Sequence, residues 1–218
     1  MTKFFSSLIV CATFCTAYST QAFAYSGGPQ QALTVKLIGD GEVSERILIE
    51  AKEHVQRIFS YAGIAVEWSP GDGLPLTVVI LSHSTAKKLD PHGNMKIGFA
   101  LSNDGRGVRR AYVFADRVSE LAWLRMRLAM YDSFNSGEDK TATLHRKASE
   151  SLILGHVIAH EIGHLLLPRG AHSVAGIMSP QMDDGDFREA LDGKLLFSLD
   201  QSELMRTAIG SEASRAAE

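Results

Sequence analysis

The spacing of apolar and polar positions divides the first part of the chain into strands and a helix. Residues 33–38 alternate between apolar and polar side chains, which predicts a strand that ends at Gly39. Residues 42–62 carry apolar side chains at helical intervals and are followed by Gly63, which predicts an amphipathic helix that stops at this glycine. Residues 64–68 alternate again and predict a second strand.

Three further strands and a helix are predicted between residues 76 and 131. Residues 76–81 are apolar except for Thr77, which is typical of a central strand that is covered on both faces. Residues 97–101 and 110–115 are short strands separated by a glycine-bearing turn, and they could form a hairpin. Residues 118–131 have leucines at helical intervals.

Polar segments separate these elements and follow them. Residues 83–96 and 132–143 are predicted to be irregular connections because they are polar and contain glycine. The acidic stretch 183–186 is interpreted as a solvated turn in preference to a calcium site, because the ligand spacing of an EF-hand is missing. A last helix is predicted over residues 201–209, and the tail from Ser211 is expected to fray.

The first 24 residues have the pattern of a secretory signal peptide. Lys3 precedes an apolar run that ends at Tyr18, and residues 22–24, Ala-Phe-Ala, match a small-x-small cleavage site. We therefore expect cleavage after Ala24 and export to a periplasm or out of the cell. The alternative is an N-terminal membrane anchor, but the run is shorter than the roughly 20 apolar residues that such a helix needs.

The composition indicates a single globular domain over residues 25–218. The chain of 218 residues is 45% hydrophobic and 22% charged, and its formal net charge is −3 with both signs interspersed. This composition excludes the basic footprint of a nucleic-acid-binding protein. Both cysteines lie in the predicted signal peptide, so residues 25–218 have no disulfide, and we expect no stable membrane insertion after its removal.

The candidate metal-binding and catalytic side chains are concentrated in one apolar stretch, residues 152–167. This stretch has the composition of a buried helix. His160 and His164 are four residues apart and therefore lie on one face of that helix, where two imidazoles can bind one Zn²⁺. Glu161 lies beside them and can accept a proton from a metal-bound water. A polar set of this kind is costly inside an apolar helix unless something such as a metal ion satisfies it.

A third ligand is expected shortly after the helix. Pro168 ends the helix and Gly170 allows the chain to reverse, which brings His172 back towards the first two histidines. A catalytic zinc site needs three protein ligands and one open position, and His160, His164 and His172 meet that number. The rivals of His172 are three carboxylates further along the chain: Asp183, Asp184 and Glu189.

This stretch resembles the metzincin clan of zinc metallopeptidases. The clan pattern is H-E-x-x-H-x-x-G-x-x-H, followed by a turn that carries a methionine beneath the metal. His160, Glu161, His164 and His172 correspond to the motif, and Met178 corresponds to the methionine of the turn, the Met-turn.

The chain departs from the clan pattern in two respects. Seven residues lie between His164 and His172, where the pattern has five. Leu167 occupies the position of the usual glycine, and Gly170 is displaced from it.

The resemblance implies an α+β, metzincin-like fold. In that fold a twisted mixed sheet packs against a long helix and a zinc-binding active-site helix, and a small C-terminal subdomain follows. An edge strand of the sheet pairs with an extended peptide substrate, and the predicted hairpin of residues 97–115 is its counterpart here. Clan members pass more directly from the last strand to the zinc helix, so residues 116–145 are interpreted as an insertion, either a lid or substrate-selecting wall or a plain surface excursion.

The expected function is that of an exported zinc-dependent metallopeptidase acting on a peptide or protein. The reaction would use a metal-activated water, with Glu161 as the general base. The alternative is a zinc-binding, catalytically inactive binding protein of the same fold, and a further option is a hydrolase of a non-peptide amide. Glu161 favours an enzyme, because a structural zinc site closes its fourth position and needs no base.

The remaining histidines are not assigned to the metal. His156 lies one turn before His160 and could support a ligand, but it could equally be an ordinary helix histidine with its own hydrogen bond. Four others have no partner at ligand spacing and are interpreted as surface or core residues: His54, His83, His92 and His145.

Overall fold

The computed structural model describes residues 31–39, 42–71, 76–89, 97–102, 109–136 and 142–216. The predicted signal peptide, residues 1–24, lies outside the described residues, and so do His92, the side chain of His145, and residues 137–141 of the predicted insertion. Within the described residues the fold is α+β, with a five-stranded mixed sheet and six helices. None of the described helices is both long enough and apolar enough to cross a membrane.

The five strands form one sheet in the order β2-β1-β3-β5-β4. Four of them are parallel, and only β4 runs antiparallel to its neighbour β5, at one edge. The strands are β1 (Gln31–Gly39), β2 (Ile64–Trp68), β3 (Leu76–Leu81), β4 (Gly98–Ser102) and β5 (Arg109–Phe114).

All five predicted strands are present, and the hairpin prediction is confirmed. In β4 and β5, Phe99 lies opposite Tyr112 and Leu101 lies opposite Arg110. The prediction of a central position for β3 is also correct. Val78 and Ile80 pack into the main core, whereas Leu81 packs with Phe114 on the other face of the sheet. This two-sided burial explains why residues 76–81 are apolar at five of six positions instead of alternating.

The described residues form six helices, and the longest of them lies in the second half of the chain. They are α1 (Glu45–Tyr61), α2 (His83–Leu89), α3 (Ala115–Ser136), α4 (Ala142–Leu166), α5 (Asp184–Leu191) and α6 (Leu199–Ala216). Helix α1 begins at the N-cap Ser44, whose hydroxyl accepts from the amide of Ile47, and it is followed by Gly63 at φ 74°. The predicted glycine stop of α1 is therefore confirmed.

Two helices form where polar connections were predicted. Helix α2 occupies residues 83–89, with the hydroxyl of Ser82 accepting from the amide of Thr85. Its one buried residue is Ala86, so it carries no periodic apolar pattern. Helix α5 begins inside the acidic stretch 183–186, which is a capping box and not only a solvated turn.

Three predicted helices are longer than their apolar patterns. Helix α3 continues to Ser136 through residues predicted to be a connector, and α4 begins ten residues before Leu152. Helix α6 continues to Ala216, so the prediction of a frayed tail is wrong for residues 211–216. The apolar pattern behind each prediction covers only part of the helix, so it does not give the full length.

Helices α1 and α4 pack against each other on one face of the sheet and bury its main core. They approach closely at Gly155, where an added Cβ would lie 2.6 Å from Cβ of His54 and 2.9 Å from the carbonyl oxygen of Ala51. Only glycine allows this backbone approach. The packing holds α4, which carries the predicted metal ligands, rigidly against the sheet.

Candidate metal centre

Helix α4 presents His160 and His164 on one face, one turn apart. Their ring centroids are 4.6 Å apart, and the two Nε2 atoms are separated by 3.0 Å. Both side chains are half-buried. The two nitrogens therefore point at the same small volume.

His172 reaches the same volume from the loop that follows α4. The helix ends at Leu166, two residues before Pro168, and Gly170 takes a φ of 79° that lets the chain turn back. The ring centroid of His172 lies 4.7 Å from that of His164 and 5.6 Å from that of His160. One nitrogen of each ring lies within 4.8 Å of the others, so the three residues form a cluster that we call the histidine triad.

Hydrogen bonds within the loop and to α6 hold the loop that carries His172. The amide of Ser173 donates to the carbonyl of Met178 at 3.0 Å, and the Ser173 hydroxyl donates to the carbonyl of Ala175. The side chain of Gln201, in the first turn of α6, donates to the same hydroxyl at 3.3 Å. These contacts fix an exposed loop that is two residues longer than the clan pattern provides.

A carbonyl of the predicted Met-turn orients the first candidate ligand. Nδ1 of His160 lies 2.7 Å from the carbonyl oxygen of Ile177 and donates to it. In the neutral ring, Nε2 then carries the lone pair, and it faces the other two histidines. Metal-binding histidines commonly have such a partner on the second ring nitrogen.

Met178 is completely buried and packs beneath α4 at Gly163. A Cβ at Gly163 would lie 2.6 Å from Sδ of Met178 and 3.0 Å from a ring carbon of Phe197. A glycine in a helix interior costs about 1 kcal/mol relative to alanine, so Gly163 predicts close packing against another backbone. The neighbours that it meets in the structure are side chains. The glycine thus makes room for the methionine under the triad.

Glu161 is buried next to the edge strand of the sheet, with a side chain that is 5% exposed. A Cβ at Gly98 of β4 would lie 2.8 Å from Oε1 of Glu161 and 2.9 Å from the carbonyl of Tyr112. Because Gly98 has no side chain, the carboxylate of Glu161 can occupy this space. Both Glu161 and His160 line a cavity that opens between β4 and the Met-turn.

The donor set of the triad fits zinc. Imidazole nitrogen is a preferred zinc ligand, and three such ligands leave the fourth position that a catalytic site requires. Within the part of the chain that the structure describes, the triad is the one group of three or more potential ligands that lie together.

The three carboxylates that were alternatives to His172 lie outside the triad. Asp183 is the N-cap of α5, Asp184 forms an ion pair with Arg125, and Glu189 lies on the exposed surface of α5. None of them joins the triad among the described residues.

The other histidines are also separate from the triad. His156 is buried, its Nδ1 lies 2.8 Å from the carbonyl oxygen of Leu152, and burial lowers its pKa to about 4. His54 lies beside it on α1, with ring centroids 6.3 Å apart, and His83 contacts Asp116 at the surface. These positions agree with the interpretation of His54, His83 and His156 as core or surface residues.

Several contributors to the site are invisible in the sequence. The carbonyl of Ile177 and the hydroxyl of Ser173 act through loop geometry, and Gly98 lies more than 60 positions before Glu161. Only a glycine inside an apolar strand pattern could have pointed to a close approach at residue 98. Arg125, which reaches the loop after the Met-turn, carries no sequence signal for that role.

Comparison with models of protein families, with curated proteins and with solved structures gives no match for this chain. The case for a function therefore comes from the site itself.

Proposed function

We propose that the chain is an exported, zinc-dependent metallopeptidase of metzincin type, with His160, His164 and His172 as the metal ligands. The observation that carries the proposal is the convergence of the triad, in which Nε2 of His160 lies 3.0 Å from Nε2 of His164 while its Nδ1 donates to Ile177. This arrangement orients the ring of His160 and directs its lone pair towards the other ligands.

When bound at this site, Zn²⁺ lowers the pKa of water towards about 7 and polarises a carbonyl group. Glu161 is the general base of the proposal. It lies three residues before His164 on α4 and lines the same cavity as His160, where its carboxylate would take the proton of the attacking water and return it to the departing amine. Burial under β4 keeps the carboxylate in one place.

Two features of the fold support the metzincin assignment. The edge strand β4 is antiparallel to a sheet that is otherwise parallel, and it passes directly over Glu161 at Gly98. An extended substrate that pairs with this strand would bring its scissile bond to the carboxylate. The buried Met178 beneath α4 supports the same assignment, and residues 167–216 then correspond to the small C-terminal subdomain.

The test combines metal analysis with peptide cleavage by residues 25–218. We expect one zinc per chain, cleavage of a mixed peptide library, and loss of cleavage after a chelator is added. Glu161→Gln should keep the zinc and lose cleavage by a factor of about 100 or more, which is the range for general acid–base catalysis. Glu150→Gln, on the same helix but bonded to Ser119, is the matched control and should stay active.

The competing function is that of a zinc-binding protein without catalytic activity. It would be supported if the purified protein holds one zinc and cleaves no member of the library. A protein that holds no zinc at neutral pH would contradict both functions.

A further inference from the structure

A cavity of about 330 Å³ opens beside His160 and Glu161. Its volume lies at the lower end of the range of about 300–1,000 Å³ that is typical of ligand pockets. Six apolar side chains besides Pro180 line it: Ile97, Leu121, Val157, Ile177, Met182 and Leu195.

Two polar side chains of the lining, those of His156 and Asp186, are engaged in hydrogen bonds within the protein. Nδ1 of His156 donates to the carbonyl of Leu152, and burial holds the pKa of this histidine at about 4, so it is neutral at pH 7. The carboxylate of Asp186 accepts from the amide of Asp183 at 3.1 Å. Away from Glu161 and the triad, the cavity is therefore suited to a bulky apolar group.

Helix α3, in the region predicted to be an insertion, forms one wall of the cavity. Leu121 lines it directly, and Arg125 lies one turn later on the same face of the helix. The Arg125 side chain is only 13% exposed, which is low for an arginine. The Arg125 side chain is therefore held in place by contacts with other residues of the protein.

Arg125 makes three contacts with the opposite wall. One guanidinium nitrogen donates to the carbonyl oxygen of Met182 at 3.1 Å, and another forms an ion pair with Asp184. The guanidinium carbon also lies 5.6 Å from the ring centroid of Phe187. Charge-assisted hydrogen bonds of this kind are the stronger ones, and the planar guanidinium group can make both at once.

The wall that Arg125 holds has little regular structure of its own. Residues 179–183 belong to no helix or strand, yet Ser179, Pro180, Gln181 and Met182 all line the cavity. The Arg125 side chain connects α3 to this wall at Met182.

We propose that Arg125 is a positioning residue for substrate selection. By holding residues 182–187 against α3, it sets the width of the cavity and so selects peptides with a bulky apolar side chain next to the scissile bond. The identity of the ligand as a peptide rests on the proposed function. The role of Arg125 in shaping the cavity rests on the contacts above.

The experiment compares Arg125→Met, Arg125→Lys and a matched control, Arg127→Met. Methionine keeps an apolar stem but makes neither polar contact, whereas lysine can restore the pairing with Asp184. Arg127 lies on the same helix, but it is exposed and stacks on Trp123 instead of reaching the cavity. Zinc content and thermal unfolding are measured for every variant.

Two readouts are used. The first is the ratio of kcat/KM for two library-derived peptides that differ only in Phe or Ala beside the cleaved bond. The second needs no turnover: it is the ratio of the Kd values of blocked Gly-Phe-Gly and Gly-Ala-Gly tripeptides, followed through the NMR signal of the Met182 methyl group.

We expect the wild type to prefer Phe by about tenfold or more, as apolar pockets discriminate side chains that differ by a few carbons. Arg125→Met should bring both ratios within about twofold of unity, mainly by raising KM and Kd for the Phe peptide. Arg125→Lys should recover part of the preference, and Arg127→Met should retain all of it, with zinc content unchanged throughout.

Three results would overturn the inference: no preference in the wild type, an unchanged preference in Arg125→Met, or an equal fall for the Phe and Ala peptides. The last result would indicate a purely structural role. If the wild type cleaves neither peptide but binds the Phe tripeptide with a preference that depends on Arg125, the peptidase function fails and the role of Arg125 stands.

Discussion

Nδ1 of His160 and the carbonyl oxygen of Ile177 are 2.7 Å apart, which joins the first candidate ligand to the residue immediately before Met178. The turn that contains Ile177 and Met178 therefore contacts the site through a backbone carbonyl. The sulfur of Met178 lies against Gly163 on the inner side of α4. The contribution of Met178 is therefore to support the turn by packing.

Met178→Leu should leave zinc content and cleavage rate within about threefold of the wild type. Volume-conserving swaps in a core usually cost less than about 1.5 kcal/mol. Met178→Ala should lower the free energy of unfolding by about 2–5 kcal/mol, because it leaves a cavity under α4. Urea unfolding and the cleavage assay measure the two effects, and a large loss of activity in a well-folded leucine variant would show a direct chemical role for the sulfur.

His172→Ala should weaken zinc binding by about 100-fold or more. Changes to the partners of metal ligands already cost about 10–100-fold, and a lost ligand should cost at least as much. Competition with a chelator of known affinity measures the change. His83→Ala, which removes an exposed histidine bonded to Asp116, is the control, and equal zinc affinity in both variants would remove His172 from the site.

Gly98→Ala should reduce cleavage while zinc content stays at one per chain. The added methyl group would lie 2.8 Å from Oε1 of Glu161 and 2.9 Å from the carbonyl of Tyr112, so the carboxylate has to move. A displacement of about 1 Å at a catalytic group can cost about 100-fold in rate. Gly71→Ala is the control, since its methyl group would meet only Ser69 at an ordinary distance of 3.4 Å. A fully active Gly98→Ala would contradict the assignment of Glu161.

Two glycines of α4 should respond differently to alanine. Either substitution gains about 1 kcal/mol of helix propensity. At Gly155 the methyl group meets the backbone of α1 at Ala51, which cannot rotate away, whereas at Gly163 it meets the side chains of Met178 and Phe197. Since overpacking costs about 1–3 kcal/mol, we expect Gly155→Ala to be the more destabilising by roughly 1 kcal/mol in urea unfolding. The reverse order would show that the layer beneath the triad is the more rigid one.

His156 should make the protein less stable in mild acid. Burial is the main cause of its low pKa of about 4, against about 6.5 for an exposed histidine, and the nearby His54 and Arg57 lower it further. The unfolded chain therefore takes up the proton first. The contribution of His156 to stability is complete above pH 6.5 and falls, by about 3 kcal/mol in all, as the pH is lowered from about 6.5 to about 4.

The measurement is urea unfolding between pH 7.5 and pH 4.5 in the presence of a chelator, for the wild type and His156→Leu. The triad is the same in both proteins, so its own titration cancels in the difference. The leucine variant should lose less stability on acidification. Parallel pH profiles would show that His156 is protonated in the folded state or lies open to water.

The five strands and the helices α1, α3, α4 and α6 follow from apolar periodicity, because each of these elements buries a regular stripe or face in the core. Helices α2 and α5 do not, since each buries only one residue of its own and begins where the side chain of Ser82 or Asp183 accepts a hydrogen bond from a backbone amide. Periodicity also fails at the ends of α3, α4 and α6, which extend beyond their predicted bounds.

The sequence by itself determined that His160 and His164 share one helix face with Glu161 beside them, because the helical repeat alone decides which neighbours lie together. It also limited the third ligand to His172 or a later carboxylate. Only the tertiary structure decided that His172 completes the triad, that the carbonyl of Ile177 orients His160, that Gly98 lines the cavity, and that Arg125 contacts the cavity wall at Met182. These relationships join residues far apart in the chain, and their distances depend on how α4 packs between the sheet, α3 and the loop that follows, which no local pattern encodes.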